Sequence, residues 1–483
     1  MKKLLSTCIL LLITVTVTLA QWSIDSMSTP RFNMLEVKFT TEALFVTGTW
    51  DKYNISSQAW TNGSLSEIRN AMHVAKVGTK AYFAGGWKGP FTDPVYVNTI
   101  DIYNSQTSTW STAKLSVARE VGAAAALKNK VYFAGGRDAL TMKKRVDIIN
   151  TSTGLKTSAN LSKARTNIAV GVNGNKIVFA GGWYFDFYCN HVLSNAVDIC
   201  DAATGHWSKA TLSQKREEIS VAVVGNKILF AGGFTDSGSG ISKNVDIYDV
   251  SSNTWTTAFL SVPRYEITVN VVGSKAYFAG SGNGVGSIDV YDASNGSWSV
   301  ISMPVTLVSM AGTVINDEIF YAGGYDPSTY AVSNLIQVYN ITSGTWTTQN
   351  LSQARAGIAV VTLNDETLFA GGATKVTYPG TGSKRVDIYT TPVRASMNAP
   401  TEAAFEMKVY PNPASDQLHI VLPQAVQFPL ELSVYDGSGK MIISFNANDY
   451  DVILPVKFLA AGNYVIEGND AGNNRYSSMV IKQ

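Results

Sequence analysis

Charge, cysteine and histidine are all scarce in this chain of 483 residues. Acidic and basic residues together make up 15%, and there are three cysteines and four histidines. The formal net charge of +2 gives no field to gather a polyanion or an acidic bilayer, so no nucleic-acid partner is expected. Paired-cysteine zinc patterns, phosphate-binding loops and nucleophile-elbow motifs are missing, so the sequence calls for no cofactor and no metal. Beyond the N-terminus no run is apolar enough to span a bilayer. Glycine (40) and aromatic residues (11%) are plentiful, which fits short strands joined by tight turns.

The first residues read as a secretory signal. Lys2 and Lys3 precede an apolar stretch over 4–19, and Ala20 offers a small side chain at a cleavage point. An uncleaved membrane anchor is the alternative, but the stretch is short for a spanning helix and no charged stop follows. Loss of residues 1–20 removes Cys8 and leaves Cys189 and Cys200, which an exported chain is allowed to bridge. Two free thiols are the other option, with Cys200 at a position where sister repeats carry Tyr or Ile.

The body of the chain repeats itself. Val131-Tyr-Phe-Ala-Gly-Gly136 recurs at 81–86, 177–182 and 228–233, with weaker copies at 276–281, 319–324 and 367–372. A second strand follows each, as in Ile100-Asp-Ile-Tyr103 and Val245-Asp-Ile-Tyr248, and then a tryptophan: Trp110, Trp207, Trp255, Trp298 or Trp346. This succession of di-glycine, Asp/Tyr strand and spaced Trp resembles the kelch repeat over most of residues 22–391. The resemblance implies an all-β fold, a kelch-type β-propeller of four-stranded blades. Stacking blades in a ring would bury faces that a lone sheet leaves exposed.

An arginine lies 17 residues before the second small residue in most units, and Arg31 stands at that distance from Gly48, which adds a degenerate first unit. Eight blades result, with Trp22 opening the strand that completes the last one. A seven-bladed ring with an unused N-terminal segment is the alternative. Seven units pair an Arg with an Asp: Arg31 and Asp51, Arg69 and Asp101, Arg119 and Asp147, Arg165 and Asp198, Arg216 and Asp246, Arg264 and Asp289, Arg355 and Asp387. The remaining unit loses both together, with Leu307 and Gln337 instead. Joint loss predicts structural ion pairs, reached across the small glycines, in preference to a ring of free arginines awaiting an anion.

The segments after the di-glycines vary in length and should emerge on one face, where a rigid scaffold gathers binding residues. Two are aromatic: Trp87 with Phe91 and Tyr96, and Trp183-Tyr184 running on to Tyr188. Tyr325 follows another di-glycine. Aromatic faces with polar edges suit a sugar ring or an extended peptide. Some kelch-type propellers are copper radical oxidases and sialidases are also propellers, so an extracellular carbohydrate-active enzyme is the rival reading. The four histidines form no recognisable ligand cluster, and Ser343-Gly-Thr-Trp346, which resembles part of a sialidase turn, already belongs to the repeat.

The repeat stops after Tyr389. Residues 392–404 read as a linker, and 405–483 as short alternating strands forming a small immunoglobulin-like β-sandwich. Val409-Tyr-Pro-Asn-Pro-Ala-Ser-Asp-Gln-Leu-His-Ile420, Asp436-Gly-Ser-Gly-Lys440 and Leu459-Ala-Ala-Gly-Asn-Tyr464 resemble, in order, the C-terminal sorting domain of the type IX secretion system. That resemblance implies a Bacteroidetes-type bacterium and the type IX machinery as a partner. It also implies delivery of the propeller (21–391) to the surface or medium, to meet an extracellular glycan, peptide or protein.

Overall fold

The computed structural model describes residues 21–235, 240–280, 286–377, 380–391, 405–423, 426, 428, 430–436, 441–470 and 475–483. The stretches expected to be a signal peptide (1–20) and a linker (392–404) lie outside the described residues. The chain divides between Val393 and Arg394 into two compact units.

The first unit is built from eight sheets, each a path of four antiparallel strands. Blade three is representative: Ala123–Leu127, Lys130–Ala134, Arg145–Asn150 and Lys156–Asn160, in that order across the sheet. The first strand of each sheet lies beside the first strands of both neighbours, and Ala359–Leu363 of blade eight lies beside Leu35–Lys38 of blade one. That succession closes a ring with the first strands innermost. The N-terminal strand Gln21–Arg31 is the outermost strand of the eighth sheet, paired with Thr381–Thr390. Its Trp22 indole packs on Phe369 and Tyr389 and donates to Gln349 Oε1 at 2.7 Å.

Hydrophobic burial between blades holds the ring together. The second strands carry the longest apolar runs and are buried almost throughout. Tyr82 and Ala84 of blade two, for example, pack with Val131, Phe133 and Ile149 of blade three. The repeated tryptophan on the fourth strand sits directly opposite the third-strand aromatic, as Trp110 does on Tyr103 and Trp255 on Tyr248. In blade four that position is Cys200, opposite Trp207, and the Tyr132 hydroxyl of blade three interacts with the thiol.

Cys189 and Cys200 are both free, so the bridge allowed by the sequence is not made. The reason is topological. Cys189 is exposed in the segment after Gly182, whereas Cys200 is buried in a third strand opposite Ile177, toward the other end of the sheet. Burial pushes the Cys200 thiol up to about 11.

The second unit has a five-stranded sheet and a three-stranded sheet around one core that includes Leu418, Ile420, Leu432, Val434, Ile466 and Tyr476. No helix among the described residues is long and apolar enough to cross a membrane.

Candidate functional site: the di-glycine face

Each di-glycine ends a second strand where the chain must thread between two carbonyls. At Gly136 (φ 101°) an added Cβ would lie 1.8 Å from Glu120 O, and at Gly135 (φ 62°) 2.5 Å from Arg165 O. Only glycine tolerates that backbone and that approach. In seven of the eight blades the crossing places an arginine beneath the turn. Arg69 Nη1 lies 2.6 Å from Asp101, Arg119 2.8 Å from Asp147, Arg165 2.8 Å from Asp198, Arg264 2.8 Å from Asp289 and Arg31 2.5 Å from Asp51. Arg216 and Arg355 pair with Asp246 and Asp387 in the same way.

These guanidiniums are buried and heavily committed. Arg165 also donates to the carbonyls of Gly181 at 2.9 Å and Phe179 at 3.1 Å, and Asp198 accepts the Ser162 N–H at 2.7 Å. Burial pulls the pKa of Arg119, Arg165, Arg216, Arg264 and Arg355 down from the ordinary value, and the facing aspartate opposes it. The positive charges are thus spent inside the blades. Blade seven makes the same join without charge: the Gln337 amide accepts from Val305 N at 2.8 Å and donates to Val305 O at 3.0 Å, with Leu307 packed in place of the arginine.

Above this layer the first residue after each di-glycine forms a two-residue bridge with the residue after the arginine: Asn70 with Trp87, Glu120 with Arg137, Thr166 with Trp183. Two of the segments read as loops are hairpins, Trp87–Lys88 with Val95–Tyr96 and Trp183–Phe185 with His191–Leu193. The Trp87 ring meets Phe91 edge-on, and Phe91 is 82% exposed. Tyr96 has its pKa raised, chiefly by burial, and feels the charges of Arg137 and Glu120.

A continuous chain of side chains then crosses blades three to five. Arg137 Nε lies 3.2 Å from Glu120 Oε2, and its guanidinium stands 5.6 Å over the Trp183 ring. Trp183 contacts His191 at 4.5 Å between ring centres. His191 Nε2 lies 3.4 Å from Glu217, which also accepts from Asn167 Nδ2 at 3.3 Å. On the other side of the hairpin Lys163 Nζ lies 3.4 Å over Tyr184, and Tyr188 is 79% exposed at the tip beside Phe187.

Tyr325 belongs to a different group. It is 9% exposed, stacks on Tyr330, and donates to Glu266 at 3.4 Å, with its pKa driven up by burial first and the neighbouring Glu266 second. Sequence reasoning missed Arg137, Glu120, His191 and Glu217. Their signal was position: Arg137 follows its di-glycine as Trp87 and Trp183 follow theirs. The turn at Ser343-Gly-Thr-Trp346 lies at the opposite end of its sheet, where Asn340 Oδ1 accepts the Ser343 N–H at 2.9 Å and Gly344 takes φ 68°. It closes a hairpin.

A ring of four-stranded sheets joined at Arg-backed di-glycines is the architecture of a kelch-type β-propeller. The family comparisons agree: residues 215–258, which hold Arg216, Gly232, Gly233, Asp246 and Trp255, match the Kelch motif, and residues 408–483 match the secretion system C-terminal sorting domain. The chain is a kelch-repeat β-propeller protein with a type IX sorting domain. No curated protein matches it. The kelch repeat makes the ring an interaction module, and the sorting domain addresses it by type IX secretion to the cell surface or beyond.

Proposed function

We propose that the protein is an exported binding protein whose di-glycine face holds an extracellular glycan, peptide or protein. In this reading residues 1–20 are removed as a signal peptide, 21–391 form the binding ring, 392–404 link it, and 405–483 serve export. One observation carries the reading: aromatic rings and hydrogen-bonding groups alternate from Tyr96 through Glu120, Arg137, Trp183 and His191 to Glu217. Flat apolar faces edged by polar groups bind sugar rings and extended chains alike. Glycan and peptide arrays probed with the purified protein and with a Trp87→Ala/Trp183→Ala variant test it. Hits on the native protein that the variant loses support the reading, and an empty pair of arrays, or hits that survive in the variant, count against it.

One observation favours a second reading, a glycan hydrolase. Burial, with Glu217 and Glu266 nearby, raises the Glu218 carboxyl above the ordinary range, which is how an acid catalyst is prepared. Turnover of chromogenic glycosides that Glu218→Gln abolishes would establish that activity in place of simple binding.

A further inference from the structure

Blade one departs from its sisters on the same face. After Gly48 the chain enters its third strand at once, at Thr49, so the segment that follows the di-glycine elsewhere is missing. In blades two, three, four, five, seven and eight the first residue of that segment bridges the residue after the arginine, or after Leu307 in blade seven: Trp87, Arg137, Trp183, Phe234, Tyr325 and Ala373. The equivalent residue in blade one, Phe32, has no such partner among the described residues and is 40% exposed.

The deficit repeats on the floor between blades one and two. The carbonyls of Arg31, Arg119, Arg165, Arg216, Arg264 and Arg355 each accept an N–H from the second glycine of the preceding blade. That of Arg69, which Gly48 should serve, accepts none among the described residues. A cleft of 470 Å³ fills the vacated place, with Phe32, Leu35, Val46 and Met72 as apolar lining and Asn33 and Asn70 as polar lining.

We propose that this cleft is a binding site for an extended polypeptide segment bearing a large aromatic side chain. The sister blades supply the template. In each of the six, the same position is filled by extended main chain that pairs through both its N–H and C=O, and in four of them the side chain is aromatic. Phe32 offers the matching N–H and C=O, which is how a sheet edge captures a strand. This site is separate from the one formed by the hairpins of blades two and four, and it stands whether or not that face binds a glycan.

The probe is a synthetic peptide copying residues 85–97 of this chain, blocked at both ends, with a second copy in which Trp87 is alanine. Calorimetric titration into the purified protein should give saturable binding of the first, weakened about tenfold or more in the second by loss of the buried indole. Insertion of residues 87–97 between Gly48 and Thr49 should abolish binding by filling the cleft. Phe32→Ala, which leaves the loop alone, should weaken it severalfold even if the insertion fails to fold. Leu155→Ser, at the opposite end of blade three, should change nothing. Absence of saturable binding, equal binding of the two peptides, or undiminished binding by Phe32→Ala would each overturn the proposal.

Discussion

Arg165 and Asp198 provide the sharpest test of how the blades are fastened. The pair is 2.8 Å apart with both side chains almost wholly buried. Asp198→Gln leaves a buried guanidinium without its carboxylate, and Arg165→Leu leaves the carboxylate without its cation. Each single change should cost about 3–5 kcal/mol, the usual penalty for breaking a buried ion pair from one side. The double variant reproduces the Leu307 and Gln337 arrangement of blade seven, where the amide serves both groups of Val305. Its cost should fall to about 1–2 kcal/mol, because exchanging a whole buried pair for neutral groups is far cheaper than halving it. The cycle therefore predicts a coupling of several kcal/mol between the two positions. Denaturation followed by tryptophan fluorescence reads the ring alone, since all ten tryptophans lie between Trp22 and Trp346. A double variant as unstable as the sum of the singles would refute the reasoning.

Three other perturbations probe different parts of the molecule. Trp22→Ala removes the indole that ties the N-terminal strand to blade eight and should cost about 2–3 kcal/mol, below the full-burial figure because the ring is only partly buried, as read by the same fluorescence transition. A maleimide should label exposed Cys189 in the native protein and reach Cys200 only after denaturation, whereas labelling of neither before reduction would reveal a disulfide. Burial depresses His73 to about 4. The unfolded chain then binds this proton more readily, so its contribution is complete above about pH 6.5 and is lost as pH falls from there toward 4. His73→Gln should flatten stability against pH in that window, and an unchanged profile would show that other groups govern it.

Much of this fold was legible because its constraints are local and repeated. A di-glycine is needed wherever two carbonyls crowd the turn, as at Gly135 and Gly136, and six copies of one solution announce themselves. The joint loss of Arg and Asp at Leu307 and Gln337 points to the contact that the structure places at 2.5–2.8 Å in other blades. The sorting domain was readable from its ordered motifs, whereas Asp and Pro at the ends of Asp451–Pro455 hide from the sequence that this strand pairs with Gln417–Val421. What the sequence hid was assembly across blades. Glu120, Arg137, Trp183, His191 and Glu217 span nearly a hundred residues, and only the ring brings them into one line. The cleft beside Phe32 was hidden for a different reason: it is a missing segment, and its meaning depends on what the sister segments do.

In the proposed function the aromatic hairpins of the di-glycine face hold the ligand. Covalent footprinting of tryptophan, with and without a saturating amount of the strongest array hit, tests it most directly. Protection of Trp87 and Trp183, with fourth-strand Trp207 and Trp255 unchanged, is the predicted result. Protection confined to Trp207 or Trp255, or full reactivity of Trp87 and Trp183 in the saturated complex, would contradict it.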